Sequence, residues 1–263
     1  MNKILFSFAI VVLVTACSTV AITGRKQLSL VSDSEILSLS ATEYKQFIDS
    51  VPASKNVAQT EMVKKVGARI AAAVEEYLKS NGRSADVANL KWEFNLVKDS
   101  VVNAFCMPGG KVVVFEGILP VTKNETGLAV VMGHEIAHAI AKHSNERMSH
   151  QVAAQYGAGI LNMAMAKKTA ATKQIVSTAY GLGANYGVIL PYSRKHEHEA
   201  DQLGLVFMAM AGYDPTEAIA FWERMAAGNK SSVMEIMSTH PSDANRIATL
   251  KTQLPEALKY YKK

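Results

Sequence analysis

LAVVMGHEIAHAI, residues 128–140, is a helix-forming stretch in which three ionisable side chains interrupt an otherwise apolar sequence. Because four residues advance an α-helix by about 400°, His134 and His138 project from one face, one turn apart. Two neutral imidazoles at this spacing can bind one zinc ion at roughly 2.0–2.1 Å. Glu135 lies about 100° round the helix, where it can take a proton from an attacking water. Burying these groups without partners is costly, so the pattern favours a zinc site over satisfied core histidines.

A zinc ion that performs catalysis usually has three protein ligands and one open position, so a third ligand is expected further along the chain. The candidate region is SRKHEHEAD, residues 193–201. Within it, Glu197 and Asp201 are four residues apart and would share a helical face. Asp201 could orient a metal-bound histidine by accepting its second N–H. His196 and His198 remain rival ligands by spacing alone, although a helix turns each about 100° away from Glu197.

Most of the rest of the chain has the pattern of helices. Apolar residues recur at three- and four-residue spacing over residues 33–49 and 57–79, and the sequence from Thr122 to the end is almost wholly helical in character. Thr122 and Glu125 have the spacing of a capping box and predict where the helix carrying His134 begins.

Two short segments between these helical regions have the pattern of strands. Trp92, Phe94 and Leu96 alternate with polar neighbours, and residues 111–115 are rich in β-branched side chains. Pro108-Gly109-Gly110 precedes the second segment, so we expect two strands joined through a turn. The sequence therefore predicts a mainly α protein with a small β-sheet, in the α+β class.

The first sixteen residues resemble an export signal. Lys3 precedes an apolar run that is too short to span a bilayer, and small residues precede Cys17. Val14-Thr15-Ala16-Cys17 resembles the lipobox of bacterial lipoproteins, which predicts a lipid on Cys17; the alternative is an ordinary secretory signal. We therefore expect a signal peptide at 1–16, a lipidated tether at 17–27 and one domain, which contains the zinc site, at 28–263. By resemblance to Gram-negative lipoproteins, Ser18 implies a lipid-anchored protein of the bacterial cell envelope, in the outer membrane facing the periplasm.

Composition excludes some other classes. The formal charge is +5 and the basic residues form no cluster, which argues against nucleic acid as a partner. If Cys17 carries a lipid, Cys106 is the remaining cysteine and cannot form an intramolecular disulfide. Nothing beside Cys106 supports a role as a nucleophile, so we expect an inert buried thiol.

The sequence resembles the HtpX and CAAX-prenyl-protease family of zinc metallopeptidases, particularly its periplasmic lipoprotein branch. The resemblance extends from about Gly24 to Arg246 and rests on H-E-x-x-H at 134–138, E-x-x-A-D at 197–201, and His240-Pro241 followed by Arg246. It implies a zincin-like fold with the H-E-x-x-H motif on the active-site helix, one zinc ion per chain, and Glu197 as the third ligand.

The resemblance also implies roles outside the zinc ligands. His240 would lie near the zinc and either stabilise the oxyanion or occupy the open position in a resting state, and Arg246 would reach the developing charge or hold its loop. An edge strand would align the substrate, and the residues expected there are Asn103, Ala104, Val112, Val113 and Val114.

The expected function is hydrolysis of internal peptide bonds in misfolded or misassembled envelope proteins by a membrane-anchored zinc metalloendopeptidase. Its partners would be protein or peptide substrates and the membrane. The alternative is a non-catalytic zinc lipoprotein that assists envelope assembly. Glu135 argues against this alternative because a structural site needs no base, but the alternative recovers if His240 permanently closes the site. A prenyl-processing peptidase is disfavoured, because that branch of the family is held in the membrane by several spanning segments and the sequence after residue 16 predicts none.

Overall fold

A computed structural model describes residues 17–20, 23–166, 168–170, 172–174, 176–177, 190–227, 240 and 245–262. The elements, in chain order, are β1 (Cys17–Thr19), β2 (Lys26–Leu28), α1 (Asp33–Ser50), α2 (Val57–Ser80), α3 (Ser84–Val87), β3 (Glu93–Val97), β4 (Ala104–Met107), β5 (Lys111–Phe115), a 3₁₀ helix (Glu116–Ile118), α4 (Leu119–Thr122), α5 (Glu125–Ile140), α6 (His143–Ala164), α7 (Leu190–Met210), α8 (Glu217–Ala227) and α9 (Arg246–Leu258). The predicted class, mainly helical with a small sheet, is confirmed.

The two helices predicted before the sheet are present as α1 and α2. Ser32 begins α1 with a capping box, in which its hydroxyl accepts from the Glu35 amide and the Glu35 carboxylate accepts from the Ser32 amide. Asn56 caps α2 by accepting from the Gln59 amide. Side-chain caps therefore fix where both helices start.

The small sheet differs from the predicted pair of strands. Its order is β3-β5-β4, with β3 parallel to β5 and β4 antiparallel to β5. The expectation of two strands joined directly by a turn is wrong, because parallel neighbours need a crossover connection. The turn at 108–110 instead joins β4 to β5, and Gly109 and Gly110 adopt φ values of 90° and 85° there.

Helix α5 carries the H-E-x-x-H motif through the middle of the protein, and most of its residues are buried. The predicted capping box is not what starts it: Thr122 belongs to α4, and the side chain of Asn124 accepts from the Gly127 amide to cap α5. The expected start is therefore corrected by two residues. Asn is as good an N-cap as Ser or Thr, so the sequence offered two starts within one turn.

Helix α7 packs along α5 at a point where neither helix has a side chain. A Cβ atom added to Gly204 would lie 2.9 Å from the His134 backbone nitrogen, and one added to Gly133 would lie 2.9 Å from the Gly204 carbonyl oxygen. This contact sets the separation of the two helices directly beside the first histidine of the motif.

At the N-terminus, β1 and β2 form an antiparallel hairpin that takes up the segment predicted as a tether, residues 17–27, and ends one residue beyond it at Leu28. The predicted signal peptide, residues 1–16, lies outside the described residues. Within the part of the chain described here, no helix is both long and apolar enough to cross a membrane.

Candidate metal centre

Four side chains from three parts of the chain bring nitrogen and oxygen atoms to one point. His134 and His138 project from α5, Glu197 from α7, and His240 from a separate segment. His134 Nε2 lies 3.1 Å from His138 Nε2 and 3.3 Å from Glu197 Oε2. His240 Nδ1 lies 3.4 Å from His134 Nε2 and 3.2 Å from Glu197 Oε1. The structure therefore brings together the three predicted ligands and His240.

These distances fit a zinc ion. Ligands held tetrahedrally at about 2.0–2.1 Å from zinc are about 3.4 Å apart, close to the separations of 3.1 to 3.4 Å seen here. The Nδ1 atoms of His134 and His138 each face another polar side chain, so both Nε2 lone pairs point into the same space. Two facing lone pairs repel each other unless a cation or a proton lies between them. The donor set and its geometry therefore suit a divalent cation.

His134 is oriented by a pair of buried ionic groups. Its Nδ1 lies 3.0 Å from Asp201 Oδ1, and Asp201 also accepts from Arg246 Nη2 at 2.7 Å. The guanidinium of Arg246 lies 3.4 Å from the centre of the Trp222 ring and is almost fully buried. Burial lowers the pKa of His134, but hydrogen bonds to Asp201 and Glu197 outweigh it and raise the pKa to about 9.

His138 is oriented differently, through a second histidine. Its Nδ1 lies 2.8 Å from His143 Nδ1, and His143 Nε2 lies 2.9 Å from Glu199 Oε2. Burial lowers the pKa of His143 to about 4, despite the hydrogen bond to Glu199, so its imidazole is neutral at pH 7. In a continuous helix His143, five residues beyond His138, would face away from the metal side. That expectation is wrong, because α5 ends at Ile140 and His143 begins a new helix that returns to His138.

The two rival ligands on α7 lie elsewhere. His196 Nε2 lies 2.9 Å from Glu146 Oε2 on α6, and its ring stacks on His143 at 4.2 Å. His198 is not among the residues that converge on the metal position. The helical turn of about 100° per residue separates both from Glu197, as the spacing predicted.

Glu135 is buried, and burial raises the pKa of its carboxyl group. His240 Nε2 lies 3.5 Å from Glu135 Oε1. Cys106 lies in the same region and is partly buried, not fully buried as expected. Loss of solvent and the charge of Glu135 raise the pKa of its thiol far above its usual value, which disfavours a reactive thiolate.

The structure corrects part of the predicted substrate strand. Val112, Val113 and Val114 are fully buried in β5, which is the central strand and pairs on both sides. Their backbone groups are already used by β3 and β4, so β5 cannot be an edge strand. Ala104 lies in β4, which is the edge strand beside α5, and Asn103 immediately precedes it.

Sequence reasoning missed several residues that surround the metal position, because they come from distant parts of the chain. These are Arg25, Glu146, Glu199 and Trp222. Glu199 lies inside the E-x-x-A-D region, but only packing could show that it contacts His143 at the start of α6.

Known proteins resemble this chain over the same region. Peptidase family M48 matches residues 65–254. The mitochondrial metalloendopeptidase OMA1 of Schizosaccharomyces pombe is 43% identical over 173 residues, covering 65% of this chain and 49% of that protein. The mitochondrial metalloendopeptidase OMA1 of Homo sapiens is 28% identical over 248 residues, covering 90% of this chain and 46% of that protein. The beta-barrel assembly-enhancing protease of Escherichia coli is 30% identical over 176 residues, covering 64% of this chain and 36% of that protein.

The mitochondrial relatives contradict the predicted location in a bacterial outer membrane. The relatives from fungi, a plant and animals are mitochondrial by name. The prediction depended on Cys17 and the residue after it, which lie outside residues 65–254, the part of the chain that the family model matches. The predicted location in a bacterial outer membrane is therefore wrong.

The chain spans about half or less of the length of these relatives. Within that span, the family match and the convergent ligand atoms confirm the predicted zinc ion and the predicted class, a zinc metallopeptidase. The match covers well over half of the chain, and the chain therefore belongs to Peptidase family M48.

Proposed function

We propose that this chain is a metalloendopeptidase that hydrolyses internal peptide bonds, with zinc held by His134, His138 and Glu197 and with Glu135 as general base. One observation carries the proposal. The donor atoms of the three ligands lie within 4.8 Å of one another, and the buried carboxylate of Glu135, which is not a ligand, lies 3.5 Å from His240 in the same group. A structural zinc site has no use for such a carboxylate.

We propose different roles for the residues around the metal position. Bound there, zinc would supply a Lewis acid that polarises the scissile carbonyl and acidifies water. Glu135 takes the proton of the attacking water and later delivers it to the leaving amine. Its pKa, raised by burial, brings the carboxylate closer to the value that suits a base at neutral pH. Arg246 holds Asp201 against His134, which supports a positioning role for Arg246 over direct contact with the oxyanion.

Glu135→Gln tests the proposal. The variant should retain one zinc per chain, because Glu135 is not a ligand, and should lose about 10²- to 10⁴-fold in kcat on casein or a misfolded protein. Metal analysis and a cleavage assay measure the two halves. Undiminished cleavage by this variant would refute Glu135 as the base.

For His240 we propose a resting state in which its Nδ1 takes the fourth ligand position. Its Nδ1 lies among the other three ligand atoms, and its Nε2 faces Glu135. Substrate would then have to displace His240, and the freed imidazole could donate to the oxyanion. His240→Ala should bind a peptide hydroxamate more tightly than the unaltered protein, because the fourth position is then open.

The second candidate function, a non-catalytic zinc protein that assists assembly, rests on the same position of His240. A site closed by four protein ligands is typical of structural zinc. The hydroxamate experiment separates the two functions, because only an openable site accepts the inhibitor. Failure of the unaltered protein to bind hydroxamate at any concentration, together with no cleavage of protein substrates, would favour the assembly function.

We propose that substrates are unfolded or misassembled protein segments. β4 is the edge strand beside α5, and an extended peptide that added to it would gain backbone hydrogen bonds largely without regard to sequence. One relative is named as a protease that enhances β-barrel assembly, which supports a substrate of this kind. A folded protein and its unfolded form should differ in cleavage rate; equal rates would contradict the proposal.

Within the family we propose the lipid-anchored branch, with Cys17 as the site of lipidation. The support is Val14-Thr15-Ala16-Cys17 and the short apolar run before it. Cys17→Ser should move the protein from the membrane fraction to the soluble fraction, and a variant that still sediments with membranes would count against the lipid.

A further inference from the structure

A buried ionic cluster lies behind His138, on the side away from the metal position. Arg25 donates from Nη1 and Nη2 to the two carboxylate oxygens of Glu146 at 2.9 and 2.7 Å, and from Nε to Glu199 Oε2 at 2.8 Å. The side chains of Glu146 and Glu199 are almost fully buried, whereas that of Arg25 is 21% exposed. His143 Nε2 contacts the same oxygen of Glu199.

The protonated ring nitrogens of His138 and His143 can be assigned from their contacts, and they link this cluster to the metal centre. His138 presents Nε2 to the other ligands, so the proton of its neutral ring is on Nδ1. That N–H faces His143 Nδ1 at 2.8 Å, which must therefore accept, and the proton of His143 lies on Nε2. The His143 N–H then donates to Glu199 at 2.9 Å. Glu199 thus fixes the tautomer and orientation of His138 through His143.

Arg25 completes this chain of contacts. It is the cation that lies between the carboxylates of Glu146 and Glu199, and it uses a donor on each. Without it, two buried negative groups would face each other and Glu199 would be free to turn away from His143. A guanidinium has the fork of donors needed to hold both carboxylates at once.

We propose that Arg25 is a positioning residue for the metal centre, acting through Glu199 and His143 on the ligand His138. The proposal rests on the zinc site of the proposed function. Partners that orient a ligating histidine usually accept its N–H directly, as Asp201 does for His134. On His138 a neutral imidazole relays that role to a carboxylate, whose own position depends on a residue far away in the sequence.

The location of Arg25 gives the proposal a further consequence. Arg25 lies between β1 and β2, in the hairpin that begins at Cys17. Thr23 in the same hairpin also donates its hydroxyl to Glu199. The segment nearest the proposed lipid therefore supports the second histidine of the metal site, and displacing the hairpin should weaken zinc binding.

The test is the zinc dissociation constant of the purified full chain, measured by competition with a chromophoric chelator. Arg25→Gln should weaken zinc binding at least 10-fold, the effect expected when a histidine loses its orienting partner. Arg25→Lys, which keeps the charge but not the fork, should fold and bind zinc a few-fold more weakly than the unaltered protein.

Arg83→Ala is the matched control. Arg83 donates to the Thr19 carbonyl oxygen at 3.2 Å and so contacts the same hairpin, but its ion pair is with Asp86 and not with the cluster. Its zinc affinity should stay within about 3-fold of the unaltered protein, whatever happens to its melting temperature.

A double-mutant cycle tests the route. In a His143→Ala background, Arg25→Gln should have little further effect on zinc binding, because the link to His138 is already cut. A dissociation constant for Arg25→Gln or Arg25→Lys equal to that of the unaltered protein, or full additivity with His143→Ala, would overturn the proposal. Zinc binding is measured without turnover, so a chain that binds zinc but cleaves nothing would overturn the proposed function alone.

Discussion

The side chains next to the ligand atoms decide which of those atoms carry protons before zinc arrives. Hydrogen bonds to Asp201 and Glu197 outweigh burial and raise the pKa of His134 to about 9, whereas burial lowers the pKa of His138 well below its usual value. At pH 7 the metal-free protein therefore carries protons on both ring nitrogens of His134, whereas the imidazole of His138 is neutral and its Nε2 atom carries none. Glu197 is ionised, since its hydrogen bonds from the histidines outweigh burial and lower its pKa.

Zinc and a proton compete for His134 Nε2, which gives a prediction about pH. Zinc binding at pH 7 should release about one proton per ion, and the apparent affinity should rise up to about tenfold per pH unit until pH 9 is reached. Calorimetric titrations in buffers of different ionisation enthalpy measure the proton count.

The matched variant for this prediction is Asp201→Asn, which removes the charge that holds the proton on His134. It should release less than one proton per zinc and bind zinc about 10- to 100-fold more weakly, because the imidazole also loses its orienting partner. Equal proton release by the variant and the unaltered protein would show that Asp201 does not set the protonation of His134.

At the scale of elements, the packing of α5 against α7 brings Glu197 and Asp201 to His134. The two helices touch through Gly133 and Gly204, and a Cβ atom on either would meet backbone atoms at 2.9 Å. Backbone atoms in the middle of two buried helices cannot give way cheaply. The helix separation, and with it the distance between ligands on different helices, depends on these two glycines.

Gly204→Ala should therefore separate the helices. We expect a loss of about 1–3 kcal/mol in the free energy of unfolding from overpacking. Zinc affinity should also fall several-fold, because Glu197 moves with α7. Urea unfolding of the metal-free protein and chelator competition measure the two effects.

Gly159→Ala is the control within a helix. Gly159 lies in α6, and a Cβ atom there would meet nothing within 4 Å. Replacing an exposed helical glycine by alanine should raise the free energy of unfolding by up to about 1 kcal/mol and leave zinc binding unchanged. If Gly204→Ala behaved like Gly159→Ala, the contact between α5 and α7 would not control the metal site.

The sequence predicted the positions of residues that share one helix, and it did not predict the contacts between different elements. The spacing of His134, Glu135 and His138 is a property of one helix, so the sequence determines their geometry as soon as the helix forms. Glu197 required a resemblance, because spacing alone left His196 and His198 as alternatives. β4 was missed because Ala104–Met107 is short and lacks a run of β-branched residues.

The position of His143 could not be predicted for a related reason. A continuous α5 would turn His143 away from His138, but the chain leaves the helix at Ala141–Lys142, where Lys142 adopts a left-handed backbone with φ 57°. No residue there is a glycine, which would have signalled the break. The partners of His143, Glu199 and Arg25, come together only through packing between segments far apart in sequence.

For the whole molecule, the metal position is a junction between separate parts of the chain. Its four candidate ligands come from α5, from α7 and from the segment containing His240. No disulfide is present among the described residues, so a bound ion would add a direct link between these parts to the packing that already joins them. A ligand that binds only the folded state stabilises it by RT ln(1 + [L]/Kd).

Zinc should therefore raise the melting temperature of the protein in a concentration-dependent way. At free zinc about 1,000 times the Kd, the stabilisation is about 4 kcal/mol, which corresponds to about 8–16 °C for a domain of this size. Scanning calorimetry with buffered zinc, and with a chelator, measures the shift.

Two variants show whether this shift arises at the site. Glu197→Gln removes a charged ligand and should lose most of the shift, whereas Glu135→Gln should retain it, since Glu135 lies beside the ion without being a ligand. Both substitutions replace a buried carboxylate on a buried helix face, so they differ chiefly in whether the oxygen belongs to the ligand set. A shift that Glu197→Gln retained in full would mean that zinc stabilises the protein by binding somewhere other than between α5 and α7.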